Sequence, residues 1–259
     1  MANVTRVAVD GVGKRYDPPR GQPVQALADV SFEVAAGEFV CVVGTSGCGK
    51  TTLFRTIAGL ESTTSGEVRV DGEPITGPGT DRGMVFQEYE LFPWLTVAEN
   101  VRFGLEQREL TADARDARVA EMLSLVGLDG VDSAYPSALS GGMKQRVGIA
   151  RALAVDPSVL LMDEPFGSVD AQTRGMLHDE LLDIWAETGK TVLFVTHDVE
   201  EAVLLADRIV VMGDSPGRVR EIVPVDLPRP RSRTDGAFTE AVERVRAELG
   251  ADRRAGGTP

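Results

Sequence analysis

The chain has few of the residues that build metal and disulfide chemistry. Its 259 residues include two cysteines, Cys41 and Cys48, and two histidines, His178 and His197. Two cysteines, one in an apolar run and one in a glycine-rich loop, make neither a disulfide framework nor a thiolate cluster. Two histidines argue against a histidine-built zinc site. Long hydrophobic runs are also missing: the longest reach about six residues, where a membrane-spanning helix needs roughly 20. The opening Met-Ala-Asn-Val-Thr-Arg has no apolar secretory region. Positive charge is in deficit, with 27 Lys and Arg against 40 Asp and Glu and a net charge of −13. That balance argues against binding nucleic acid or anionic lipid through the overall field. The expectation is a soluble, cytosolic protein whose 42% hydrophobic content supports one large domain or two lobes.

What is present is glycine in a particular place. Residues 44–51 read GTSGCGKT, the pattern G-x-x-x-x-G-K-[ST]. The run follows an apolar segment, Glu38–Val43, that reads as a buried strand, and it opens a helical segment, Lys50–Ala58, closed by Gly59. Gly44, Gly47 and Gly49 let the backbone curl so that N–H groups point at phosphate oxygens. The positive end of the helix dipole faces the same anion. Lys50 adds a cation for the β- and γ-phosphates, and the Thr51 hydroxyl suits Mg²⁺. Thr45, Ser46, Cys48 and Thr52 complete the expected nucleotide-binding run, with the Cys48 thiol facing the nucleotide and open to thiol reagents. Cys41 reads as a core residue.

Along the chain, residues 4–10, Val30–Val34 and Glu67–Val70 alternate in hydropathy, as half-buried antiparallel strands do. Residues 96–135 turn helical, with Thr96 and Glu99 spaced as a capping box. A further helix is expected from Met143 to about Val155, ended by Asp156-Pro157. Then come a strand over Val159–Met162, a helix over about Ala171–Thr188, a strand over Thr191–Val195 and a helix over Val199–Asp207. Strands alternating with helices indicate a mainly parallel sheet, whose ligands sit at the carboxyl ends of strands. The phosphate loop, Asp163-Glu164 and Thr196-His197 all fall at such ends. From Arg253 onward the chain is expected to be disordered.

Asp163 and Glu164 close an apolar strand. Asp163 can hold the water shell of Mg²⁺, and Glu164 can orient an attacking water. Leu139-Ser-Gly-Gly-Met-Lys-Gln-Arg146 places Ser140 as a helix cap and leaves N–H groups uncovered at Gly141 and Gly142, a second anion-binding helix start.

These residues resemble the ATP-binding-cassette ATPase family. LSGGMKQR resembles its signature motif, and other elements match in order over about residues 4–230: Tyr16 as the adenine-stacking aromatic, Gln87 as the Q-loop glutamine, Ser168-Val-Asp170 as the D-loop and His197 as the switch histidine. The resemblance implies an α/β fold. A RecA-like parallel-sheet nucleotide core would carry an antiparallel β lobe and a helical signature subdomain at about 88–156. A C-terminal helix would follow residue 230. It also implies a mechanism. Two copies pair head to tail, and each ATP lies between one subunit's phosphate loop and the other's Ser140–Gly142. Gln87 senses Mg²⁺ and the γ-phosphate, Glu164 positions water, His197 stabilises developing charge, and Asp170 couples the two sites. Thr51, Gln87 and Asp163 are the expected Mg²⁺ residues. The D-loop departs mildly, reading Ser-Val-Asp where Ala-Leu-Asp is commoner. Tyr16 also has a plain reading as a surface aromatic. His178, outside any motif, reads as a structural residue.

The stretch after Gln87, Glu88–Leu95, is either core or, as the resemblance implies, the border of a groove for a membrane subunit, with Phe92, Trp94 and Leu95 as anchors. Pro93-Trp-Leu-Thr-Val97 and the later Pro216-Gly-Arg-Val and Val225-Asp-Leu-Pro-Arg-Pro-Arg231 are similar to importers of the nitrate/sulfonate/taurine type. The implied partners are a second copy, membrane permease subunits at the cytoplasmic face of the membrane and, indirectly, a solute-binding protein, with no nucleic acid. No large C-terminal regulatory domain is expected. A soluble ATPase acting on nucleic acid or ribosomes is the alternative, and it fits less well because long coiled coils and a second cassette are missing.

Overall fold

A computed structural model describes residues 4–255; Met1–Asn3 and Gly256–Pro259 lie outside the described residues. Two compact units emerge, one of residues up to Gly79 together with those from Thr191 onward, the other of Thr80–Lys190. The first unit begins with β1 (Thr5–Tyr16), β2 (Val24–Ala35), β3 (Phe39–Gly44), α1 (Lys50–Ile57), β4 (Ser65–Val70) and β5 (Glu73–Pro74). The second holds β6 (Arg82–Val85), α2 (Val97–Arg102), α3 (Ala112–Leu125), α4 (Gly141–Ala154), β7 (Val159–Asp163) and α5 (Ala171–Thr188). The chain returns to the first with β8 (Thr191–Thr196), α6 (Val199–Leu205), β9 (Arg208–Met212), β10 (Val219–Pro224) and α7 (Gly236–Ala255).

The first unit contains an antiparallel sheet in the order β2-β1-β4-β5. Its strands alternate because one face is buried: Val7 and Val9 point into the core while Asp10 is exposed. β3 and β8 behave differently. Every residue of both is buried, so they read as continuous apolar runs. β3 pairs in parallel with β8 and with β9, and β10 closes the edge antiparallel to β9. The register sets Val43 opposite Thr196 and Gly44 opposite Met212. The phosphate loop after β3, His197 after β8 and Asp214 after β9 therefore emerge from one end of the sheet.

α6 stops at Leu205, two residues before its expected end, because Asp207 serves β3 instead: its backbone N–H donates to the Phe39 carbonyl at 2.7 Å and its carboxylate accepts the Phe39 N–H at 2.9 Å. α7 runs through Ala255, past Arg253 where disorder was expected to begin, and the rest of that stretch lies outside the described residues.

In the second unit β6 and β7 pair in parallel, from Arg82 opposite Val159 to Val85 opposite Met162. α2, α3 and α4 pack together through Val97, Val101, Met122, Leu123, Val147 and Leu153. Both halves of the capping box form: Thr96 Oγ1 accepts the Glu99 N–H at 3.3 Å, and Glu99 Oε2 accepts the Thr96 N–H at 2.7 Å. The unit extends beyond the helical stretch at 88–156, since it also takes in the strand pair and α5. No helix among the described residues is long and apolar enough to cross a membrane.

Candidate functional site

In the first unit, α1 starts at Gly49, whose φ of 99° only glycine adopts readily, and no side chain caps the helix. Its first N–H groups are left facing the loop. The loop is held from within. Lys50 is buried and its Nζ donates to the Gly44 and Thr45 carbonyls at 2.8 and 3.0 Å. Thr45 Oγ1 donates to Asp214 at 2.7 Å. Ser46, Gly47 and Thr51 are exposed and Thr52 is half-buried. Tyr16 ends β1 with its ring partly exposed and its hydroxyl donating to Glu61 at 2.6 Å. Burial and the Glu61 carboxylate raise the Tyr16 pKa, while the Thr52 hydroxyl on the first turn of α1 opposes them. The aromatic ring thus stands beside the phosphate loop helix. Burial also pushes Glu61 up, but hydrogen bonds from Tyr16 and Lys14 outweigh it and hold the carboxyl below its ordinary value. His197 is exposed at the end of β8, directly before Asp198, the cap of α6.

One expectation for the loop is overturned. Cys48 does not face outward: its side chain is buried beneath the loop, so close to Gly44 that a Cβ there would meet the sulfur at 2.6 Å. Burial raises the thiol pKa, with Lys50 pulling the other way. The residue packs the loop and is shielded from reagents.

In the second unit, Asp163 ends β7 buried. Glu164 follows at φ 45°, a left-handed conformation that a side-chain-bearing residue holds only when its surroundings demand it. The strain turns the chain sharply, and the Gly167 N–H closes the turn on the Glu164 carbonyl at 3.1 Å. Gln87 is exposed, its Nε2 lying 3.6 Å from where a Cβ on Gly167 would stand. Asp170 caps α5, accepting the Gln172 and Thr173 N–H groups at 3.1 Å each, and those bonds lower its pKa. Ser140 caps α4 by accepting the Met143 N–H at 3.3 Å. Gly141 is exposed as expected, but Gly142 is buried, with an added Cβ only 2.9 Å from Thr173 Cγ2.

The stretch after Gln87 carries an aromatic cluster. Trp94 is 70% exposed and packs at a tilt against Phe92, ring centroids 5.5 Å apart, and Phe92 meets Phe103 at 4.5 Å. Phe92 and Leu95 are both half-buried, so the exposed aromatics of the cluster are Trp94 and Phe103, with Phe92 between them.

Three residues with supporting roles were not singled out in the sequence. Tyr89 donates to or accepts from Ser168 at 3.0 Å, and its hydroxyl would lie 2.9 Å from a Cβ on Gly141. Buried Asn100 pins the aromatic loop, accepting the Phe92 N–H at 2.8 Å and donating to the Phe92, Leu95 and Thr96 carbonyls at 2.9–3.2 Å. Gly217 packs so tightly under the phosphate loop that a Cβ would stand 2.1 Å from the Cys48 carbonyl oxygen. Tyr89 and Gly217 lie far in sequence from what they support, whereas Asn100 is within eight residues of its partners; Gly217 alone had a cue, the Pro-Gly pair. His178 is buried on α5 with its ring edge-on to Phe166 at 5.4 Å, a core position.

Comparison with known proteins follows the same lines. The family profile described as ABC transporter matches residues 27–167. The aliphatic sulfonates import ATP-binding protein SsuB of Bacillus cereus is 46% identical over 239 residues, 92% of this chain and 94% of that protein. The nitrate import ATP-binding protein NrtD of Synechocystis is 51% identical over 227 residues, 86% of this chain and 83% of that one. The dimeric structure of a post-hydrolysis state of the ATP-binding cassette MJ0796, bound to ADP and phosphate, superposes with a TM-score of 0.74 at 33% identity, covering 86% of this chain and all of that one.

Proposed function

The chain belongs to the ABC transporter family of ATPases, and from that premise we propose that it is the ATP-hydrolysing subunit of an importer of nitrate/sulfonate/taurine type. It works as a head-to-tail dimer on separate permease subunits at the cytoplasmic face of the membrane, with a solute-binding protein delivering cargo. The observation that carries the ATP assignment is the start of α1: an uncapped helix opening from a left-handed glycine, with the Lys50 ammonium folded into the loop. The importer type is supported by similarity to SsuB and NrtD along most of all three chains.

The residues divide the work. Backbone N–H groups of residues 44–52 and the Lys50 ammonium bind the phosphates, and Tyr16 stacks on the adenine. Ser140–Gly142 of a second copy completes the phosphate site. Thr51, Asp163 and Gln87 suit Mg²⁺, which takes few protein oxygens and keeps phosphate and water as its other ligands. When bound, that ion neutralises charge on the phosphates. Glu164 orients the attacking water and takes its proton as the oxygen closes on the γ-phosphorus, while the bond from that phosphorus to the bridging oxygen breaks and ADP leaves. His197 donates to the γ-phosphate oxygens as charge spreads over them. Phe92, Trp94 and Phe103 dock into the permease.

The test is Glu164→Gln. It keeps size and position but cannot take a proton, so turnover should fall by about 100-fold or more with MgATP affinity within about twofold. The variant should also accumulate as an ATP-bound dimer in sedimentation. Hydrolysis near the wild-type rate would remove Glu164 from the mechanism.

A further inference from the structure

α6 is seven residues long, and its cap, Asp198, follows His197 directly. Asp198 fixes the start of the helix by accepting the Glu200 and Glu201 N–H groups at 2.9 and 3.3 Å. At the other end the carbonyls of Val203, Leu204, Leu205 and Ala206 have no partner within so short a helix. All four are met by two arginines from a segment 24 to 28 residues further on. Arg231 Nη1 donates to Val203, Leu204 and Ala206 at 2.7, 3.3 and 2.6 Å, and Arg229 Nη2 donates to Leu205. The rest of the Arg231 guanidinium meets the Leu227 and Val225 carbonyls, each at 3.1 Å.

Arg229 also reaches the base of β3, the strand that leads into the phosphate loop, through a second path. Arg229 Nη1 pairs with Asp207 at 2.6 Å, and the other Asp207 oxygen accepts the N–H of Phe39, the first residue of β3. β3 ends at Gly44, where the loop begins, beside the β8 residue that precedes His197. Burial first, and the neighbouring Arg229 second, bring the Arg231 pKa down to about 10, so the group is still a cation at neutral pH. A cation at the C-terminal carbonyls is also favoured by the helix dipole.

We infer that Arg229 and Arg231 are positioning residues for hydrolysis: Arg231 ties the far end of α6 to the Val225–Leu227 segment, Arg229 joins it through Asp207 to the base of β3, and together they set where His197 stands relative to the phosphate loop. A helix of two turns has little strength of its own, so losing its C-terminal anchor shifts or frays it and moves His197. The inference rests on the γ-phosphate role proposed for His197.

The experiment is a double-mutant cycle on the full chain, reading kcat and KM for MgATP in Arg231→Gln, His197→Ala and the combination. Arg231→Gln should lower kcat by about tenfold with KM changed less than about twofold, and Arg231→Lys should restore part of the loss. In the His197→Ala background, Arg231→Gln should cost less than about a further twofold, because the residue it acts through is gone. Losses that multiply, or a KM that rises in step with the fall in kcat, would assign Arg231 a general structural role and overturn the inference. A His197→Ala chain with unimpaired turnover would instead bring down the reading of His197 and the inference with it. If Arg231→Gln does not fold, Arg229→Gln, which removes the Leu205 contact and the Asp207 pair, runs the same cycle.

Discussion

α1 starts from Gly49 at φ 99° with no side chain capping it, whereas α4 starts from Ser140, whose hydroxyl already accepts the Met143 N–H. Both starts are glycine-rich. The first is closed by its own chain: Lys50 ties two loop carbonyls, Asp214 holds Thr45, Cys48 fills the space beneath, and Gly217 packs against its backbone. The second is exposed at Ser140 and Gly141, with Tyr89 close against Gly141. On the function proposed above, one pattern would serve two purposes. A helix start that must grip polyphosphate alone is built deep, with a cation and several inward supports. A helix start that only finishes another subunit's site needs an open edge and little else.

The largest effects should come from exchanging damage between the two starts. Lys50→Ala should weaken ATP binding to the single chain by about 100-fold, the scale of losing charge-assisted hydrogen bonds to phosphate. Ser140→Arg should leave that affinity within about twofold yet lower turnover by at least about tenfold and abolish the ATP-dependent dimer, since a bulky side chain would stand on the open edge. Nucleotide titration and sedimentation with MgATP read the two properties separately. If Ser140→Arg weakened binding to the monomer as much as Lys50→Ala, the contrast between a complete and a completing site would be wrong.

A smaller effect tests whether the second start is set by Tyr89. Tyr89→Phe keeps the ring but removes the hydroxyl that bridges to Ser168, at a stability cost of about 0.5–1.5 kcal/mol. Turnover should drop several-fold while ATP affinity of the monomer is unchanged. Denaturant melts and steady-state kinetics check the two halves, and a variant with a normal rate would make the contact merely structural.

The smallest effect is expected at Cys48. Its thiol pKa is raised, so the thiolate fraction near about pH 7.5 is below that of a free cysteine and grows only as pH climbs further. Maleimide should label the folded chain at about one-tenth or less of the rate seen after unfolding, with ATPase activity retained meanwhile. Rapid labelling that MgATP prevents would show that the first start is more open than its packing indicates.

Much of this was legible along the chain because it is local. The phosphate loop, the apolar strand ending in Asp163-Glu164, the Ser140 cap and the Thr96–Glu99 box are each set by residues within a few positions of one another, and periodicity placed α5 at Ala171–Thr188. Residue type alone did not show which way a loop side chain turns. Cys48 and Gly142 carried the right spacing but are directed by neighbours remote in sequence, such as Thr173 for Gly142. The helix end expected at Asp207 failed for the same reason, since that carboxylate is taken by β3.

The sequence by itself determined the nucleotide chemistry, because phosphate recognition needs only a short run of glycines, one lysine and one hydroxyl ahead of a helix. It also determined the alternation of strands and helices, which follows from hydropathy at fixed periods. The tertiary structure decided the supports: Tyr89 at Gly141, Gly217 beneath Cys48, and Arg229 with Arg231 on the end of α6. Those contacts satisfy backbone groups and packing gaps that exist only once distant segments have met, so no local pattern encodes them.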